Sequence, residues 1–81
     1  MNKLSVHALG VGIGAMWGVS VLFCGITAMF GWGAGLVEAL SSLYIGYAPS
    51  VIGAIIGGIW AFVDGYIGGA IIAWVYNRVA K

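Results

Sequence analysis

Between Leu4 and Phe30 the chain carries no Asp, Glu, Lys or Arg, an unbroken run of 27 residues. From Pro49 to Tyr76 a second run of 28 residues holds a single charge, Asp64. A helix of about 20 apolar residues covers a hydrocarbon layer about 30 Å thick, so each run can cross a bilayer once, with some tilt or a protruding turn. The apolar region of a secretory signal is only about 7–15 residues long, so the first run reads as a span.

Charge scarcity extends to the whole chain. Its charged residues, Lys3, Glu38, Asp64, Arg78 and Lys81, make up 6% of the 81 positions. Soluble domains carry about a quarter, so this sequence has too few to coat a water-facing surface. A net charge of +1 without a basic patch excludes a nucleic-acid partner, and the lone Cys24 excludes a disulfide scaffold. The reading is therefore an all-α membrane protein with one domain over residues 1–81. It is a transmembrane helical hairpin (about 4–30 and 49–76) whose arms are joined by a short interfacial amphipathic helix (about 34–45).

That connecting helix is read from periodicity. Gly31, Gly33 and Gly35 raise the cost of continuing the first helix. Leu36, Val37, Leu40, Leu43 and Tyr44 then recur at three-to-four spacing, with Glu38, Ser41 and Ser42 on another face, which suits a helix lying in the interface. Tyr47-Ala48-Pro49-Ser50 reads as a turn, with Pro49 in the first turn of the second span. Lys3 precedes the first span, and Arg78 and Lys81 follow the second. The excess of positive charge at that end predicts both termini on the cytoplasmic side of the membrane. Phe30, Trp32, Tyr44 and Tyr47 would then form the outer aromatic belt, and Trp74 and Tyr76 the inner one.

Both spans carry small residues at every fourth position. Gly10, Gly14 and Gly18, continued by Gly25, run along the first. Gly53, Gly57, Ala61, Gly65, Gly69 and Ala73 run along the second. Such rows let helix backbones approach closely in lipid, where apolar burial gives no net drive to associate. They can pack the hairpin on itself, and they are expected to be the surface through which copies of the chain assemble. Gly12, Gly58 and Gly68 add small surface on other sides, which points to further neighbours, either copies of the chain or a larger membrane complex.

Asp64 is the candidate functional residue. It lies about 18 Å along the helix from Tyr76, near mid-membrane. A charge there costs about 2.5–3.5 kcal/mol on insertion scales, so the group keeps its proton, gains a partner or meets water. Following Gly57 and Ala61 and preceding Gly68, it is expected to point into a helix–helix contact. If the hairpin sets Ser5 level with Tyr76, Trp17 falls level with Asp64 and Ser20 one turn away, making the Trp17 indole N–H and the Ser20 hydroxyl its predicted partners. Two roles stay open: a hydrogen-bonding link between helices, or a carboxylate facing an ion or water path. His7 is a lone histidine without a second ligand, so no metal or haem site is expected. Gly10-x-Gly12-x-Gly14 lacks the lysine of a phosphate loop. With no nucleophile–base constellation, neither an enzyme nor a cofactor is predicted.

Met29-Phe30-Gly31-Trp32-Gly33, the stretch from Ser42 to Pro49, the stretch from Gly58 to Gly69 and the ending Ala73 to Arg78 carry a resemblance over nearly the whole chain. In these segments it resembles a family of short two-span bacterial membrane proteins often labelled bacteriophage holin or uncharacterised. That resemblance implies a self-assembling, pore-forming membrane protein and transfers no catalytic residue. A weaker likeness, of architecture only, is to the rotor-ring proteolipid of rotary ATP synthases. It would make Asp64 a proton carrier, although the Arg-Gln-Pro connector of that family is missing. A homo-oligomer, a single-copy accessory subunit and a proton-carrying ring are thus the three functional expectations.

Overall fold

The computed structural model describes residues 3–80, and Lys81, one of the charges used to orient the chain, lies outside them. Among these residues there are three α-helices: α1 (Val6–Thr27), α2 (Ala34–Ser41) and α3 (Val51–Val79). α1 and α3 pack antiparallel and are each long and apolar enough to cross a membrane. Serine hydroxyls start both. Ser5 accepts from the Ala8 amide at 3.1 Å, and Ser50 accepts from the Gly53 amide at 2.9 Å, satisfying amides that a helix start leaves free. Pro49 therefore precedes the cap of α3 and does not occupy its first turn.

α1 tightens into a 3₁₀ turn at Ala28–Phe30 and stops at Gly31, whose φ of 92° is a left-handed conformation open to glycine. Gly33 repeats this with φ of 77° and begins α2, so Gly35 is helical and breaks nothing. α2 ends at Ser41, four residues earlier than the periodicity suggests. There the Ser41 and Ser42 hydroxyls donate back to the carbonyls of Glu38 and Ala39, each at 2.7 Å. A hydroxyl bonded to the preceding turn in this way competes with helix continuation.

The hairpin register is set by backbone against backbone. A Cβ on Gly65 would stand 2.8 Å from the Gly14 Cα, and one on Gly69 would stand 3.0 Å from the Gly10 Cα. These pairings shift α3 by two positions from the predicted alignment, so Trp17 is level with Phe62, about half a turn from Asp64. At the open end Asn77 clasps Leu4 twice. Its side-chain oxygen accepts from the Leu4 amide and its side-chain N–H donates to the Leu4 carbonyl, both at 2.8 Å.

The connector is where the expectation fails. The molecule measures 48 × 18 × 17 Å. α3, at about 43 Å, accounts for nearly all of its length. α2, at about 12 Å, would fit across the end, but the turn after it does not stay there: Tyr44 bonds Trp17 and Asp64, and the Ile45 carbonyl accepts from Trp60. Instead, the connector folds back along the flank of the two long helices. Val37 is buried, Leu40 packs beside it, and Tyr44 and Tyr47 are each only 3% exposed. Neither tyrosine belongs to an outer belt, whereas Phe30 and Trp32 at that end, and Trp74 and Tyr76 at the other, do stand exposed.

Candidate functional site

The residues that bring Asp64 a partner come from all three parts of the chain. α1 supplies Trp17, the turn after α2 supplies Tyr44, and α3 supplies Asp64 close to its midpoint. The Trp17 indole N–H donates to the Tyr44 hydroxyl oxygen at 3.0 Å, and the Tyr44 hydroxyl donates to Asp64 Oδ2 at 2.6 Å. Burial, then the hydrogen bond to Asp64, push the Tyr44 hydroxyl above its ordinary range; the Trp17 N–H works the other way. Tyr44 accordingly keeps its proton, and the chain of donors runs in one direction, from Trp17 through Tyr44 to Asp64.

This geometry corrects the predicted partners. Trp17 reaches Asp64 only through Tyr44, because the two-position shift and the intervening ring occupy the direct route. The Ser20 hydroxyl instead donates to the Met16 carbonyl at 2.8 Å, the usual bond of a helical serine to the preceding turn. Tyr44 was the partner that sequence reasoning missed. The readable signal was a mid-span acid with no donor on its own helix, together with two tyrosines three residues apart in the connector.

Small residues of α1 and α3 make the slot in which the connector sits. The Tyr47 ring lies against Gly57 so closely that any Cβ there would collide with it. A Cβ on Gly25 would stand 3.0 Å from the same ring and 2.7 Å from the Ala54 Cβ. The Tyr47 hydroxyl donates to the Val21 carbonyl at 2.7 Å. Gly53 faces the Ala48 backbone, and Ala61 is fully buried in the cluster that contains Tyr44. Gly10, Gly14, Gly18, Gly65 and Gly69 face the opposite long helix. The glycine rows are thus used within one chain, partly by the hairpin and partly by its own connector. Gly58, expected on another side, also packs inside, against Leu22. Only at Gly12 and Gly68, of the three residues expected to add outward small surface, would a Cβ meet open space.

Asp64 is also not where the small-residue row placed it. Its side chain is exposed on the outer flank of the hairpin, beside the connector, and does not lie between α1 and α3. Among the described residues its carboxyl takes one hydrogen bond, from Tyr44. Arg78 lies fourteen positions further along and sits over the Trp74 ring at 5.3 Å. Around Asp64 is an open groove of about 220 Å³ lined by Leu43, Tyr44, Trp60, Val63 and Ile67. Trp60 stacks on Tyr44 with centroids 6.3 Å apart and planes 7° from parallel, and its indole N–H donates to the Ile45 carbonyl at 2.9 Å. Both aromatic rings are therefore fixed by hydrogen bonds at their polar ends. His7 shares a 2.9 Å hydrogen bond with the Tyr66 hydroxyl towards the termini, apart from this site. Compared with models of protein families, with curated proteins and with solved structures, the chain matches none.

Proposed function

We propose that the chain is a two-span integral membrane protein that assembles with copies of itself around a cation-conducting, holin-like pore. Its termini face the cytoplasm across a bacterial inner membrane. One observation carries this reading: a carboxyl group stands on the outer flank of the hairpin, midway along a 29-residue apolar helix. In a lone hairpin that flank would face lipid, where a charge costs several kcal/mol. Turning the flanks of several copies towards a common centre puts the carboxyls in water and makes a ring of the kind that selects cations.

The assembling surface differs from the one the glycine rows suggest, since those rows are already covered within one chain. Large apolar side chains remain for contact between copies, among them Met16, Val19 and Phe23 on α1 and Ile71 and Ile72 on α3. Lys3 and Arg78 at the terminal end, opposite Glu38 in the connector, support the orientation.

Native mass spectrometry of the protein released from lipid nanodiscs, with cation flux from vesicles containing it, tests the proposal. A defined oligomer and a cation leak are expected. Asp64→Asn should lower the preference for cations over anions several-fold, because the ring loses its charge. A single-copy particle with no leak would overturn the pore and favour an accessory subunit of a larger complex. Unchanged selectivity in Asp64→Asn would remove Asp64 from the lumen.

A further inference from the structure

We propose that the groove beside Asp64 is a binding site for an organic ammonium ion bearing an apolar substituent. Three features of the groove select this class. Its walls are aliphatic and aromatic, its volume of about 220 Å³ suits a small organic molecule, and its single charged group is a carboxylate with one hydrogen bond from Tyr44. A neutral apolar guest would cover that carboxylate and strip it of solvent without pairing it, which is costly. A hard metal ion needs about six oxygen ligands, and this groove supplies one carboxyl and a hydroxyl already donating to it. Anions are repelled.

A carboxylate beside an exposed aromatic ring recognises alkylated ammonium groups, combining ion pairing with attraction to the ring face, and Trp60 is the exposed ring here, backed by the buried Tyr44. Here the rings are held before any ligand arrives. Tyr44 is pinned between Trp17 and Asp64, and Trp60 is tied to the Ile45 carbonyl while it stacks on Tyr44. Little side-chain freedom remains to be lost on binding. The site is complete within one chain, so it stands or falls independently of whether copies assemble.

The test is titration of the full chain in detergent micelles with benzyltrimethylammonium and, separately, with its uncharged carbon isostere neopentylbenzene. Affinities are read by calorimetry, and the site is located by the Trp60 indole N–H resonance. Saturable binding of the cation that shifts the Trp60 signal is expected, with affinity falling about tenfold in Asp64→Asn. The Trp17 indole resonance reports whether that variant keeps the Tyr44 contact. Should it not, Trp60→Leu carries the test, with a loss of similar size expected from the missing ring. Equal affinity for neopentylbenzene, or cation affinity unchanged in Asp64→Asn or in Trp60→Leu, would overturn the site.

Discussion

Gly65→Leu is expected to push the two long helices apart, while Gly12→Leu leaves them in place. At Gly65 a side chain meets backbone on every side: the Gly14 Cα at 2.8 Å, the Ile13 carbonyl oxygen at 3.1 Å and the Gly14 nitrogen at 3.2 Å. Backbone within a helix cannot rotate away as a flexible side chain would, so relief comes only from separating α1 and α3. Overpacking a well-fitted contact costs about 1–3 kcal/mol, and here the upper end applies because none of these backbone atoms can yield. At Gly12 nothing lies within 4 Å, and the effect should stay within about 0.5 kcal/mol. Spin labels near residues 20 and 60 would report the separation directly, and thermal unfolding in detergent the stability. Equal behaviour of the two variants would mean that the close glycine contact does not hold the hairpin.

Tyr47→Ala should release the connector and leave α1 and α3 paired. The Tyr47 ring fills the slot between Gly25 and Gly57, so truncation opens a cavity that rigid helices cannot close. Removing a buried aromatic ring costs about 3–5 kcal/mol. A loss of about 3 kcal/mol, confined to the connector, would raise hydrogen exchange of the Leu43–Tyr47 amides about a hundredfold. Tyr47→Phe removes only the hydrogen bond to the Val21 carbonyl and should change exchange about tenfold or less. Because Tyr44 is held in the same segment, Tyr47→Ala should also break its contact with Asp64, visible as a shift of the Trp17 indole resonance. Faster exchange spread evenly over α1 and α3 would show instead that connector and hairpin unfold as one unit.

The two long helices were legible because the property that defines them is local: each is a long apolar run with almost no charge. Their antiparallel packing was legible too, since small residues at every fourth position leave few other ways to bring backbones together. The register was off by two positions because close glycine pairs, which alone fix it, recur at intervals that several alignments satisfy. The connector was misplaced for a different reason. Leu36, Val37, Leu40, Leu43 and Tyr44 make a face that suits a membrane surface as well as an interhelical groove, and the same pattern describes both. What separates the two cases is non-local: Gly53 and Gly57, in the first turns of α3, are the floor on which Ala48 and Tyr47 rest. Asp64 stands out in the sequence by its place midway along the second apolar run, but its direction depends on Tyr44, twenty residues earlier in the chain.

The paired hydrogen bonds between Leu4 and Asn77 bear on how the copies in the proposed assembly can be counted. They fasten the first and last turns side by side, so a short peptide can join the tail of one copy to the head of the next without crossing the bilayer. Tandem fusions of two, three or four units would therefore fold with every unit in the same orientation. In the proposed assembly, only those whose unit number divides its stoichiometry would close without surplus subunits.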